Sequence, residues 1–438
     1  MVAFVAVIIL LLFALICAYV WKRLVRDTLR SRWGRRVGTV VALVLALLVP
    51  ATLIGVRAGH VKWLAWPGYL WIAVLFYLVI TLAVLEIPRL VLRVLWADRG
   101  RTAASAAGPL VRGGVADGEL QPAGAVPAEG SAGVTGSGAA DPSGAPGAPL
   151  PTAAGEAPAD GGPPAGIDRR LVLARGAAIF AGLTAAGVTG YGVREATGAP
   201  RIDRVRIPIA KLPRSMDGTR LAVVSDIHLG PLTGIGHTER ITRVINAVNA
   251  DVVCVVGDLV DGTVAELGRL AEPLRGIESR RGAYFVTGNH EYYSGFRPWI
   301  DEVAELGMRP LRNERVAIDG LDLAGVNDLG GEDYGDPADF GRALGDRDVS
   351  RPVVLMAHQP LAARQAAPYG VDLQVSGHTH GGQMAPFNFV VKLQQPVVSG
   401  FGQVDGVPVY VTNGAGFWGP PVRVGAPPQV TVVELRVA

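Results

Sequence analysis

The chain contains seven histidines, and five of them, His228, His290, His358, His378 and His380, fall in short polar stretches that also hold Asp226, Asp258 and Asn289. The stretches read Asp226-Ile227-His228, Gly257-Asp258-Leu259-Val260-Asp261, Gly288-Asn289-His290-Glu291, a lone His358, and Gly377-His378-Thr379-His380-Gly381-Gly382-Gln383. An Asp-x-His pair lets two ligands approach one ion from a sharp turn, a lone carboxylate can bridge two ions, and His-x-His points alternate imidazoles at a common centre. Mixed oxygen and nitrogen ligands of this kind suit Mn, Fe or Zn better than Ca or Mg. Gly257, Gly288 and Gly377 each stand one residue before a candidate ligand, where a missing side chain lets the backbone turn tightly beneath the ions.

These stretches need elements that bring them together. Beyond Arg201 short β-branched runs alternate with helical patterns, which predicts an α/β domain with a partly parallel sheet. The candidate strands are Arg220–Ser225, Val252–Val256, Ala283–Thr287, Leu321–Val326, Val353–Ala357, Leu373–Ser376, Val409–Thr412 and Val430–Leu435. Five of these runs lead directly into one of the polar stretches, four of which carry histidine, and loops at the carboxyl ends of strands are where α/β sheets place ligands.

In this order the stretches, D-x-H, G-D-x-x-D, G-N-H-E, H and G-H-T-H, resemble the calcineurin-like metallophosphoesterase superfamily over about residues 218 to 438. A last block with Gly-x-Gly, Arg423 and Pro427-Pro428 before the final strand is similar to the bacterial membrane-anchored subgroup. The resemblance implies a four-layer α/β/β/α sandwich with a dinuclear centre at the top of two facing sheets. It makes Asp226, His228 and His380 ligands of one divalent metal, Asn289, His358 and His378 ligands of the other, and Asp258 the bridge. It further implies a metal-bridging hydroxide that attacks phosphorus in line. His290 then stabilises the transition state or protonates the leaving oxygen, with Glu291 a candidate to orient it. A solvent-facing acid at a helix start is the other reading of Glu291.

Other stretches carry weaker signals. His237 precedes an Ile241, Val244, Ile245, Val248 stripe and reads as a helix-entry residue rather than a substrate contact. Asp261 reads as a support for the Asp258 loop rather than a ligand. Gly414-Ala415-Gly416-Phe417-Trp418-Gly419 fits G-x-G-x-x-G, but Pro420-Pro421 stands where a dinucleotide-binding helix should begin. Phe417 and Trp418 read either as core or wall packing or as an apolar lip. No Lys follows a Gly anywhere in the chain, which excludes a P-loop.

The N-terminal half has a different texture. Half of the 438 residues are hydrophobic and only 18% are charged, and mean hydropathy is +0.33, a balance that calls for segments in lipid. Residues 4 to 20, 38 to 56 and 69 to 85 are apolar runs long enough to cross a bilayer, giving a transmembrane helical region over residues 1–101. Seven cations between Lys22 and Arg36 face one acid, Asp27, and the positive-inside rule puts that loop in the cytoplasm. Glu86, the acid near a span, is expected in an ion pair with Arg89 or Arg93. Residues 102–167 form a linker in which 47 of the 65 residues from Thr102 to Gly166 are Ala, Gly, Pro or Ser, so it is expected to be a disordered tether. Residues 168–199 carry Arg169-Arg170 and a mild apolar stretch from Gly176 to Val193, readable as a fourth transmembrane helix or an internal twin-arginine signal. Either carries the domain at residues 200–438 across the membrane.

The net charge of +3 rests on 41 Lys plus Arg, of which only Lys22, Lys62, Lys211 and Lys392 are lysines. No long basic tract exists, so no nucleic-acid partner is expected. Cys17 and Cys254 lie in unlike settings and predict no disulfide. The expected protein is a multi-pass cell-membrane enzyme with an extracytoplasmic site, hydrolysing phosphomono- or phosphodiesters with two divalent ions, Mn, Fe or Zn. Two alternatives stand beside it, a hydrolase of phospholipid or lipid-linked pyrophosphate and a non-catalytic anchored binding protein. The complete ligand set disfavours the last.

Overall fold

The computed structural model describes residues 2–56, 58–59, 61–106 and 169–438. Most of the Thr102–Gly166 tether lies outside the described residues. Four long helices come first: α1 (Val2–Trp21), α2 (Arg32–Gly55), α3 (Ala65–Ala106) and α4 (Arg169–Thr197). Four segments, Phe4–Arg26, Arg32–Gly55, Lys62–Val91 and Arg169–Thr197, are long and apolar enough to cross a membrane. The fourth apolar segment is thus a continuous helix. Its buried positions, Ala181, Ala185, Thr189, Gly192 and Ala196, fall on one stripe of small residues, which allows close helix approach without a hydrophobic driving force. Glu86 is paired across helices, its carboxylate 2.8 Å from Arg23 Nη2 and accepting from the Tyr19 hydroxyl at 3.1 Å.

The domain then follows as β1 (Arg201–Ile209), β2 (Arg220–Val224), α5 (Ile235–Ala247), β3 (Val252–Val256), α6 (Val264–Ala271), β4 (Ala283–Val286), α7 (Asn289–Tyr293), α8 (Phe296–Glu305) and β5 (Met308–Pro310). Its second half is β6 (Glu314–Ile318), β7 (Leu321–Gly325), α9 (Phe340–Leu344), β8 (Val353–Met356), α10 (Ala363–Ala366), β9 (Leu373–Ser376), α11 (Asn388–Val391), β10 (Gly400–Val404), β11 (Val407–Val411) and β12 (Gln429–Val437). Two six-stranded sheets result, ordered β1-β12-β2-β3-β4-β5 and β10-β11-β9-β8-β7-β6. Strands β2 to β5 run parallel, as do β7, β8, β9 and β11, so ligand-bearing loops emerge at one end of each sheet.

Three apolar clusters establish the layers. Leu221, Val223 and Cys254 of the first sheet meet Leu323, Val354, Met356 and Val375 of the second in the cluster between the sheets. The first sheet's outer face packs Ala222, Val253 and Phe285 against Ile241, Ile245, Leu267, Trp299 and Val303 of α5, α6 and α8. The second sheet's outer face packs Leu355 and Val409 against Phe340, Leu344 and Ala363 of α9 and α10. The domain is therefore a four-layer α/β/β/α sandwich. Cys17 and Cys254 are both free thiols.

All eight candidate strands are present within two residues of their expected ends. Four further strands, β1, β5, β6 and β10, were not legible as strands, and they are the four sheet edges. Edge strands are half-solvated and short or polar, as Arg201-Ile202-Asp203-Arg204 of β1 illustrates, and so lack the continuous apolar run of a doubly covered strand.

Candidate metal centre

Each candidate ligand sits just past a strand of the central, parallel portion of a sheet. Asp226 and His228 follow β2, Asp258 follows β3, Asn289 and His290 open α7 after β4, His358 follows β8, and His378 and His380 follow β9. The turns are sharp. Asp226, His228, Asp258, His378 and His380 all have positive φ, between 50° and 72°, a left-handed conformation that costs a non-glycine residue roughly 1–2 kcal/mol. Such strain persists where the surroundings over-determine the backbone. Here Asp226 N donates to the Gly257 carbonyl at 3.0 Å and His228 N to the Asp258 carbonyl at 3.2 Å, locking the first loop to the second. Gly257 has φ +78°, and a Cβ there would fall 2.7 Å from Gly288 Cα and 2.8 Å from His358 Nδ1, so the turn beneath the centre admits only glycine.

The side chains converge in three overlapping groups: Asp226, His228 and His380; His228, Asp258 and His290; and Asp258, His358 and His378. His228 Nε2 and His380 Nε2 face each other at 3.0 Å, with Asp226 Oδ1 3.3 Å from His380 Nε2. On the other side His378 Nδ1 lies 3.1 Å from Asn289 Oδ1. Asp258 stands between the two sets, its Oδ2 3.1 Å from His358 Nε2 and 3.8 Å from His228 Nε2. His358 Nδ1 donates to the Val256 carbonyl at 2.8 Å, leaving Nε2 for ligation. That buried Nε2 makes no hydrogen bond. A buried nitrogen that faces a carboxylate at 3.1 Å without a well-aligned hydrogen bond, inside a set of carboxylate, amide and imidazole donors, is what a divalent ion of the Mn, Fe or Zn type would satisfy.

The electrostatics agree with that use. Burial tends to raise Asp258, but His358, His290 and His228 outweigh it and hold its carboxyl well below the usual range. Burial and His358 push His378 down to about 4. Burial, the Arg423 guanidinium and His228 push His380 well below its ordinary value. Both surroundings thus favour the neutral imidazole, whose lone pair a metal ion needs. His290 behaves oppositely: burial opposes its charge, yet Asp258 and Asp261 raise it above its ordinary value.

The structure redistributes the supporting roles. Glu291 is neither a solvent-facing acid nor an orienting group for His290. It is fully buried and accepts from the backbone N–H of Gly288 (2.6 Å), Asp258 (2.9 Å) and Leu259 (2.7 Å). As the third residue of its helix it reaches back to the N–H groups that the helix start leaves without a partner within the helix, and three converging donors hold it more strongly than one imidazole would. The acid that faces His290 is Asp261, whose Oδ1 accepts from His290 Nδ1 at 2.6 Å and from His228 Nδ1 at 2.9 Å. Partial burial works to raise Asp261, and the two imidazoles bring it down to about 2.

In the sequence Arg423 stands out only as part of the last block. It is completely buried and donates to the carbonyls of His380 (2.7 Å), Gly416 (3.0 Å) and Asn413 (2.9 Å), with Nη2 3.1 Å from His380 Nδ1. Burial brings it down to about 10. The Gly414–Gly419 segment precedes no helix. Its Ala415 and Gly416 N–H groups donate to the Ser225 and Asp226 carbonyls at 2.9 Å, bracing the first ligand loop. Phe417 and Trp418 separate, Phe417 being buried against His237 at 5.9 Å between ring centres and Trp418 standing exposed, 5.8 Å from the His290 ring. His237 occupies the first turn of α5, accepts no role at the centre, and is held at about 4 by burial.

Residues 219–382 match the model of the calcineurin-like phosphoesterase family. An uncharacterized metallophosphoesterase of Aquifex aeolicus is 35% identical over 243 residues, covering 54% of this chain and 92% of that protein. The chain belongs to the calcineurin-like metallophosphoesterases. It is also 38% identical over 262 residues to a transmembrane protein with metallophosphoesterase domain of Danio rerio, covering 57% of this chain and 60% of that protein. An uncharacterized metallophosphoesterase of Helicobacter pylori is 36% identical over 56% of this chain and 66% of its own length. The chain therefore spans about three-fifths to two-thirds of these two relatives. Membership makes the domain a phosphoesterase hydrolase domain, the family implies divalent metal ions, and the clustered Asp and His residues are consistent with them.

Proposed function

We propose that the protein is a membrane-anchored phosphoesterase that hydrolyses phosphomono- or phosphodiesters at a dinuclear centre on the extracytoplasmic face. The observation that carries this reading is Asp258 standing between two ligand groups, Asp226, His228 and His380 on one side and Asn289, His358 and His378 on the other. When bound, two divalent ions supply a water nucleophile ionised near neutral pH and positive charge for the phosphoryl oxygens. His290, whose protonated form Asp258 and Asp261 favour against burial, protonates the leaving oxygen through its remaining nitrogen. Asp261 holds the Nδ1 side of that ring and so directs Nε2 outward. Glu291 and Arg423 keep the ligand loops in register from beneath. The test is a panel of mono- and diesters with purified protein. Chelation should abolish hydrolysis and Mn, Fe or Zn restore it; hydrolysis that survives full metal removal would defeat the reading.

The extracytoplasmic assignment is supported by which ends of the helices meet. Arg175 Nε near the start of α4 donates to the Thr28 carbonyl at 3.1 Å, within the cation-rich connection assigned to the cytoplasm. At the opposite end Lys62 Nζ pairs with Glu266 of the domain at 2.9 Å. These two contacts support a reading in which Lys62 and the domain share one side and the Lys22–Arg36 cations the other. The packing of α4 against α3 through Ala181 and Ala185 favours a retained fourth helix over a transient export signal. An export-dependent reporter fused after Ala438 should be active and one fused near Ala140 inactive, whereas the opposite pattern would put the site in the cytoplasm.

A further inference from the structure

The loop that follows His380 touches the membrane helices. Arg423 N donates to the carbonyl of Gly192, inside the fourth apolar helix, at 2.9 Å. Val422 and Met384 are buried in one cluster with Ala73 and Tyr77 of α3 and Ala181 and Ala185 of α4. Ala385 N in turn donates to the Val424 carbonyl at 2.9 Å. Backbone contacts therefore run from a helix residue two positions before Arg194, through Val422–Val424, to Met384-Ala385. The next segment, Pro386 to Leu393, contains α11 and turns four large apolar side chains outward: Phe387, Phe389 (66% exposed), Val390 and Leu393 (87% exposed). Nothing within the described chain covers them. The same segment is anchored near the centre, since Asn388 packs against Gly382, two residues from His380. Trp418, exposed beside His290, is tied to this loop by Gln383, whose side chain accepts from Trp418 N at 3.0 Å and donates to its carbonyl at 2.8 Å.

An apolar, water-facing segment hung from a membrane helix at the height of that helix's last turns lies where the acyl chains end and the headgroups begin. Side chains such as Phe and Leu partition there, and an exposed Lys392 in their midst can reach phosphate while its stem stays apolar. We propose that residues 386–393 are an interfacial element that dips into the leaflet, so that the rim of the metal centre lies on the bilayer and the preferred substrate is the phosphoester of a membrane-borne amphiphile. The substrate half of this inference rests on the phosphoesterase reading above, and the depth of the segment does not.

Full-length protein in phosphatidylcholine nanodiscs separates the two. With Cys17→Ala in the background and Cys254 buried, nitroxide labels are placed at Phe389→Cys, Leu393→Cys and, as a reference, Val349→Cys. Val349 is exposed just before β8 and so lies at the amino end of the sheets, away from the centre. Labels at 389 and 393 should be more accessible to oxygen than to a neutral water-soluble nickel chelate, and the label at 349 the reverse. Labels at 389 and 393 that behave like 349, or that are shielded from both agents by a second copy, overturn the interfacial element. The double variant Phe389→Ser with Leu393→Ser should lower hydrolysis of phosphatidic acid in the same disc about tenfold while leaving a water-soluble aryl phosphate unaffected. An equal loss on both substrates would make the segment a structural support and overturn the substrate inference. If the unaltered protein hydrolyses neither with metal present, the phosphoesterase reading fails, while the label depths still decide the membrane contact.

Discussion

Leucine is turned mostly outward on the N-terminal helices of this molecule and mostly inward on the sheets of the domain. Leu10, Leu15 and Leu47 of the N-terminal helices are exposed, whereas Leu221, Leu323 and Leu373 of the sheets are completely buried. Charge shows the converse. The helices keep their cations at the ends and pair Arg23 with Glu86, while the domain buries Asp226, His228, Asp258, Glu291, His358, His380 and Arg423 together at one end of its sheets. The difference follows from the surroundings: a lipid-facing helix gains by showing apolar groups, and a water-soluble domain gains by hiding them. A domain that buries this many ionisable groups in one place bears a desolvation cost that only mutual pairing or bound cations offset. The region where the apolar rule is strictest is therefore also where the polar exceptions concentrate.

The most severe way to probe that concentration is Asp258→Asn, which removes the carboxylate shared by both ligand groups. Phosphoester turnover should fall at least about 10³-fold, with fewer than two metals bound by elemental analysis. An active variant holding both metals would mean that Asp258 is not the bridge. His290→Asn should lower turnover by about 10²–10⁴-fold at unchanged metal content, and metal loss instead would move His290 into the ligand set. Asp261→Asn weakens the hold on both His290 and His228, so turnover should drop about 10–100-fold with a matching rise in the metal concentration needed for half activity. Glu291→Gln lets the contrast with Asp261 be read directly, since it should lower stability more than turnover per folded molecule.

The leucine contrast itself is tested by a matched pair. Leu323→Ala, in the cluster between the sheets, should destabilise the domain by about 2–5 kcal/mol in denaturant unfolding followed by near-ultraviolet circular dichroism. Leu15→Ala, on an outward face of α1, should leave the same transition within about 0.5 kcal/mol. Equal effects would mean that the helices and the domain unfold as one unit.

Most of the candidate centre could be read along the chain because its proposed ligands are local. Asp226-Ile227-His228 and His378-Thr379-His380 carry two ligands each on one turn, and their strands are doubly covered runs such as Val252-Val253-Cys254-Val255-Val256, whose apolar continuity is visible without a partner. The first three apolar helices were legible for the same reason, since lipid asks only for length and composition, whereas the milder fourth segment read equally as a helix or as an export signal. Edge strands were not, because β1, β5, β6 and β10 are defined by which neighbour they lack. Neither was the division of labour between Asp261 and Glu291. Both stand near His290 along the chain or one strand over, and only the geometry of α7 decides that Glu291 turns back to three backbone donors while Asp261 meets the imidazole. Arg423 lies 43 residues from His380, and Gly192 lies 231 residues before Arg423, so their contacts belong to the folded molecule. Residue type and short-range spacing determine which chemistry is possible, because ligand sets and apolar runs are properties of adjacent residues. Which acid serves which histidine, and which loop lies against the membrane helices, depends on side chains that meet only when both sheets and α4 have packed.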